Sequence, residues 1–321
     1  MPRLIPSRTD AHKVDALIIG RAGLDLYPTP AGTKTCDAEN FMTDMGGSAG
    51  NIAAAMARQG AQVALAAPVS DDPVGKFVRN KLAAFGIQHI NAEQVDSQAR
   101  TSLALAELVH QGSETVIYRN NAADFSLASN DIDAWIDAAP LTLVTGTALA
   151  REPSRTACLK ALSNSVCGVL DLDYRPYSWT SQESAARVYQ EAGTEASIIV
   201  GNDEEFAVFA PDGKPRETAA ALAATGKTVI FKEGAKGCTA LRADAEPLFV
   251  PPYPVDALKP FGAGDAFLGT ALVGLSQGLD LEDALRNGAA AAALVVQRPG
   301  CASAMPDQGE VQAFRQMKEA S

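Results

Sequence analysis

Leu141-Thr142-Leu143-Val144-Thr145, Val166-Cys167-Gly168-Val169-Leu170-Asp171, Ser197-Ile198-Ile199-Val200-Gly201 and Thr228-Val229-Ile230-Phe231-Lys232 are four short apolar runs. Helical patterns at 153–164, 181–192 and 217–224 separate them. Short runs rich in aliphatic residues suit strands buried on both faces, and the segments between them are long enough for helical crossovers. Repeated strand–helix units of this length predict an α/β fold, with a mostly parallel sheet and helices on both faces.

The pattern extends in both directions. An apolar run at 14–19 ends at Gly20 and reads as a strand. Gly46-Gly47 opens a helix expected over 48–59, closed by Gly60. A strand follows at 63–67 and a helix at 75–85, stopping at Gly86. Residues 101–109 and 114–118 read as two strands of a hairpin turning at Gln111-Gly112. Two helices, 266–275 and 281–295, finish the core. Residues 27–44 and 101–119 fall outside the alternation, and they are expected to form a small β lid over one end of the sheet. No repeat or long linker interrupts the chain, so one domain over 1–321 is expected.

The 321 residues are 47% apolar and 20% charged, enough for a sizeable core and too apolar for disorder. Lys plus Arg number 27 against 38 Asp plus Glu, a formal charge of −11. Such a chain is unsuited to nucleic-acid phosphates or an anionic membrane surface. Any anion it takes must be held by local cations and backbone N–H groups. Five scattered cysteines form no CxxC, and three histidines form no HExxH, which argues against zinc and thioredoxin-type chemistry. The first thirteen residues lack a secretory apolar stretch, and the longest apolar run, 289–296, is far short of a membrane span. A soluble, cytoplasmic protein is expected.

Ligands of parallel α/β sheets bind at the carboxyl ends of the strands. No GxxxxGK[ST] loop occurs there, and Gly20-Arg21-Ala22-Gly23 is not a GxGxxG. The strongest local signal is Gly262-Ala263-Gly264-Asp265, just before the helix expected from 266. Glycines turn consecutive N–H groups toward one point, and a helix N-terminus adds more, which makes an anion hole. An aspartate on its rim can take a proton from a hydroxyl; it can equally be a helix cap. Asp25, Gly46, Gly47 and Asn51 stand where a carboxylate and an amide can hold sugar hydroxyls, or serve as turn and cap residues.

Gly46-Gly47-Ser48-Ala49-Gly50-Asn51, Asn202-Asp203-Glu204-Glu205 and Phe261-Gly262-Ala263-Gly264-Asp265-Ala266-Phe267 together resemble the signatures of the PfkB, ribokinase-like carbohydrate kinases, in their order and spacing. The resemblance implies ATP and Mg²⁺, with Asp265 as catalytic base and Gly262, Ala263 and Gly264 as the anion hole. It places Asn202, Glu205, Lys232, Gly234, Gly237 and Asn287 at the nucleotide, with Glu205 on Mg²⁺ through water. A homodimer through the lid is a further implication. Segments at 20–28, 118–124, 171–176 and 299–306 are similar to the branch of the family that phosphorylates 5-dehydro-2-deoxy-D-gluconate in inositol catabolism. That substrate is a sugar acid, and Arg119 and Arg175 offer guanidinium partners for its carboxylate, or else make structural salt bridges. A 2-keto-3-deoxygluconate kinase, a fructokinase or ribokinase, and a non-catalytic sugar-acid sensor are the alternatives. Many family members have Asp-Thr before the GAGD segment, where the Asp helps hold a monovalent cation. Here the stretch is Lys259-Pro260-Phe261, so the Lys259 ammonium is expected in place of potassium.

Overall fold

The computed structural model describes residues 3–109, 112–209 and 213–320. Its strands are β1 (Ala16–Ile19), β2 (Gly23–Thr29), β3 (Asn40–Gly46), β4 (Val63–Ala66), β5 (Gln88–Ile90), β6 (Leu103–Ala106), β7 (Thr115–Tyr118), β8 (Thr142–Thr145), β9 (Gly168–Asp171), β10 (Ile198–Asn202), β11 (Thr228–Lys232), β12 (Cys238–Arg242) and β13 (Ala245–Val250). The helices are α1 (Ser48–Arg58), α2 (Pro73–Ala84), α3 (Ser129–Ile136), α4 (Ser154–Asn164), α5 (Gln182–Glu195), α6 (Asp203–Phe206), α7 (Pro215–Ala224), α8 (Ala263–Ser276), α9 (Leu281–Val295) and α10 (Gln308–Glu319).

Nine strands form one sheet in the order β13-β12-β11-β10-β9-β8-β1-β4-β5. The neighbours from β11 to β5 pair in parallel, and β12 and β13 add an antiparallel edge. Alternate residues of each strand enter two cores. Ile18, Leu65, Leu143, Val169 and Val200 face α1, α8 and α9, whereas Ile19, Ala66, Val144, Leu170 and Ile199 face α3, α4 and α5. That period of two is what a sheet covered on both faces requires.

The order reverses at β1, which has β4 on one side and β8 on the other. Crevices at such a reversal are where these folds take ligands. Thr145 pairs with Asp171, and Asn202 with Lys232, so polar residues line up along the carboxyl edge.

The second sheet has the order β3-β2-β6-β7. It contains the segments expected to depart from the alternation, but it begins earlier, at Gly23, which puts Asp25 within a strand rather than in a turn. The β2–β6 pair is parallel and the other two are antiparallel. The expected 101–109 strand is confined to Leu103–Ala106, and Gln111 of the expected turn lies outside the described residues. At the root of this sheet the Asp44 carboxylate accepts N–H groups from Met45 (2.8 Å), Cys301 (3.0 Å) and Ser303 (3.0 Å), and the Ser303 hydroxyl at 2.7 Å. At its outer end, Glu107 accepts from the Lys34 ammonium and the Thr35 N–H, each at 2.8 Å, which fastens the short Thr35–Asp37 turn.

Candidate active site

Helix α8 starts at Ala263, three residues before the expected start. Gly262 is its N-cap residue with φ of +83°, a left-handed conformation that glycine adopts freely. Asp265 therefore sits inside the first turn. Its side chain makes no capping bond and instead accepts from Asn51 Nδ2 of α1 at 2.8 Å. The helix-cap alternative falls on that geometry.

Burial pushes the Asp265 carboxyl up to about 7, helped by the negative charges of Asp171 and Asp173 and opposed by Asn51 and Lys232. Asp171, at the end of β9, is likewise raised to about 7 by burial, with Lys232 opposing. The Lys232 ammonium lies 3.4 Å from Asp171 Oδ1. Burial works against its charge, but Asp171, Glu205 and Asp265 outweigh that and hold its pKa above the usual value. A side-chain carbon built at Gly264 would find Lys232 Nζ at 3.5 Å and, among the described residues outside its own helix turn, no other atom within 4 Å. The first turn of α8 and a lysine thus face one open space, a suitable cradle for phosphate oxygens.

Asp173 has a φ of +33°. Its Oδ2 accepts the Ser48 hydroxyl and, at 3.2 Å, the Thr147 hydroxyl, while Oδ1 accepts Arg175 at 2.9 Å. Asn202 and Glu205 bond each other reciprocally, Oδ1 with the Glu205 N–H at 2.9 Å and Oε2 with the Asn202 N–H at 2.8 Å. This is a capping box at the start of α6. Glu205 is buried, and burial raises its pKa.

Asp25 is buried in β2 and accepts the Tyr27 hydroxyl at 2.9 Å. Burial raises its pKa against the pull of Arg21. Gly46 stands directly against it: a side-chain carbon there would fall 1.9–2.1 Å from the Asp25 carboxylate. Asn51 gives its amide N–H to Asp265, but its buried Oδ1 has no partner among the described residues. An orphaned acceptor beside a raised carboxylate is what a ligand hydroxyl satisfies. Gly47 is the N-cap residue of α1.

Two expected residues are engaged elsewhere. Arg119 is buried, paired with Asp124 through Nε at 3.1 Å and a closer terminal nitrogen, bonded to the Thr147 carbonyl at 3.1 Å, and stacked over Phe125. Its guanidinium is built into the wall rather than open beside Arg175, which is half-exposed. Asn287 Oδ1 accepts from Arg315 at 2.7 Å, tying α9 to α10. Gly234 and Gly237 bracket a turn directly after β11, both with positive φ. Lys259 is 1% exposed, and its ammonium donates to the Phe261 carbonyl at 2.8 Å, immediately before Gly262. Ser48, Thr147, Asp171 and Asp173 were not among the expected site residues. The signal for the last two was present, two aspartates closing an apolar run at 166–173.

The chain belongs to the pfkB family of carbohydrate kinases, whose pattern its residues 13–308 match. It is 37% identical over 318 residues to a 5-dehydro-2-deoxygluconokinase from Photobacterium profundum, an alignment covering 95% of this chain and 96% of the relative. Its fold is similar to a fructokinase from Xylella fastidiosa with bound ATP, at a TM-score of 0.81 and 23% identity, covering 95% of this chain and 99% of that one. A fructokinase double mutant from Vibrio cholerae in a form with fructose, ADP and a potassium ion bound superposes at 0.79 with 24% identity, covering 96% and 99%.

Proposed function

We propose that this kinase transfers a phosphoryl group from ATP to the primary hydroxyl of a sugar acid, and that its substrate is 5-dehydro-2-deoxy-D-gluconate. The observation that carries the reading is Asp265: a carboxylate raised to about 7, bonded among the described residues only by Asn51, in the first turn of a helix whose N-terminal end faces Lys232. A base with that pKa is half ionised near neutral pH and takes the hydroxyl proton as the oxygen–phosphorus bond forms and the bond to ADP breaks. The Gly262, Ala263 and Gly264 N–H groups and Lys232 stabilise the charge on the transferred group.

Among the described residues no three His, Cys, Asp or Glu side chains converge to cage a metal. Glu205 is buried and already accepts one N–H. These donors suit Mg²⁺ held mainly by phosphate oxygens and water, the ordinary arrangement for that ion. Asp25 and Asn51 Oδ1 receive sugar hydroxyls, and Gly46 leaves the room that the Asp25 carboxylate occupies. Arg175 meets the carboxylate, with Arg119 setting the wall behind it. Lys259 supplies beneath the Gly262 turn the positive charge that a monovalent ion gives elsewhere.

Among the described residues no helix is long and apolar enough to cross a membrane. We place the enzyme in the cytoplasm, with the second sheet as its lid. The half-exposed Val116 and Tyr118 on β7 fit a homodimer formed through that sheet. The test is ADP release with 5-dehydro-2-deoxygluconate, 2-keto-3-deoxygluconate, fructose and ribose. Highest kcat/KM with the first supports the assignment. Preference for another moves the substrate, and no turnover with any leaves a sugar-acid sensor.

A further inference from the structure

A second cavity, of about 500 Å³, opens between the turn after β8, the start of α4, the turn after β9 and residues 184–191 of α5. Arg151, Arg155 and Arg187 line it against a single acidic residue, Glu191. In a chain of net charge −11 this is a local reversal of sign. Clustered cations repel one another, so the arrangement favours an anion between them.

The three arginines are not equivalent. Arg155 is committed to the fold, with Nε on the Leu149 carbonyl at 2.8 Å and a terminal nitrogen on the Ala150 carbonyl at 2.9 Å. The guanidiniums of Arg151 and Arg187 make no hydrogen bond or ion pair among the described residues; that of Arg151 lies over the Phe125 ring at 5.3 Å.

We propose that this cavity is a binding site for a phosphorylated sugar acid, separate from the Asp265 site. Two uncommitted guanidiniums offer more donors than one carboxylate accepts. A phosphate monoester presents three strong acceptor oxygens and nearly two negative charges. The rings of Trp179 and Tyr177 give the carbon chain an apolar surface, and the volume falls in the range of small-molecule sites. The wall formed by Tyr177–Thr180 follows Arg175 closely in the chain, so a bound anion holds the turn from which Arg175 reaches Asp173. Two sources share this chemistry, the enzyme's own product and another phosphorylated acid. The first rests on the reaction proposed above.

The chain has two tryptophans, Trp135 and Trp179. In full-length Trp135→Phe protein, Trp179 fluorescence reports on the cavity without any need for turnover. Titration with 6-phosphogluconate should give a saturable change, with gluconate and inorganic phosphate each at least tenfold weaker. Arg151→Ala and Arg187→Ala should each weaken binding about tenfold to a hundredfold, the range for a lost charge-assisted bond. Asp265→Asn should leave binding unchanged. No saturable change, equal binding of phosphate alone, unchanged affinity in both arginine variants, or displacement by the sugar substrate overturns the proposal. The phosphorylated acid made by the enzyme itself is titrated last. Binding at least as tight as that of 6-phosphogluconate makes the product the ligand, and weaker binding assigns the site to another phosphorylated acid. If the kinase assays fail while 6-phosphogluconate binds, only the reading of the reaction falls.

Discussion

Asp44 and Asp265 are both carboxylates set deep at the ends of structural elements, and their surroundings are opposite. Asp44 is surrounded by three N–H groups and a hydroxyl, with Lys81 3.8 Å away. It fastens β3 to the turn at 300–303. Among the described residues the Asp265 carboxylate receives one bond, from Asn51, and it shares its neighbourhood with the carboxylates of Asp171 and Asp173. A carboxylate already accepting four hydrogen bonds has little left to give a reaction. One kept under-bonded among like charges holds its proton more tightly and can return it near neutral pH.

The contrast breaks most readily at Asp265. Asp265→Asn should lower kcat by about 10²–10⁴-fold, the range for a lost general base, with the protein still folded. The wild-type kcat/KM should rise with pH and level off above about 7 as this carboxyl ionises. The sign for stability is the reverse. Its folded pKa lies above its ordinary value of 3.8, so its contribution is complete below about 4 and lost as pH rises through about 7. Asn at 265 should therefore stabilise the protein more at pH 8 than at pH 5, measured as urea midpoints. A folded variant with normal kcat would remove Asp265 from the chemistry.

Asp44→Ala should do the opposite. It leaves buried donors without an acceptor and should lower the unfolding free energy by about 2–5 kcal/mol, while the folded fraction keeps most of its kcat. Equilibrium denaturation beside single-turnover rates decides this. Loss of turnover at unchanged stability would make Asp44 part of the reaction.

Arg119 and Arg175 repeat the contrast among cations. Arg175→Ala should cost about tenfold to a hundredfold in kcat/KM for the acid over its neutral analogue. Arg119→Ala should destabilise the fold instead, because it strands Asp124 unpaired and buried. Equal losses for acid and neutral sugars in Arg175→Ala would return the substrate class to neutral sugars. The smallest effect is expected from potassium. With the Lys259 ammonium buried under the Gly262 turn, rates in sodium and potassium at matched ionic strength should agree within about twofold. A large potassium-specific gain would reveal a cation site elsewhere.

The parallel strands were legible because the signal is local: β11 matches its expected bounds and β10 is offset by one residue. β12 and β13 were not, since Ala245–Val250 carries a proline and no clear alternation and is held only by pairing across the sheet edge. Gly264 reads as a helix breaker, which displaced the expected start of α8, yet glycine in a first turn costs little once Gly262 has made the left-handed step. Asp265, Asn51 and Gly46 were legible as contiguous motifs. The Asp171–Lys232 pairing was not, because it depends on how β9, β10 and β11 stack side by side. Nor can spacing reveal that Arg119 spends its charge on Asp124.

Four of the five thiols are buried, and burial raises Cys158, Cys238 and Cys301 to about 12 and Cys167 to about 11. Cys36 alone is exposed, in the turn between β2 and β3 at the outer end of the second sheet. A maleimide dye should therefore attach at one place per molecule, with no engineering, on the sheet proposed above as the lid. Energy transfer from that dye to a fluorescent nucleotide turns this turn into a ruler that reads whether the second sheet moves toward the nucleotide during turnover.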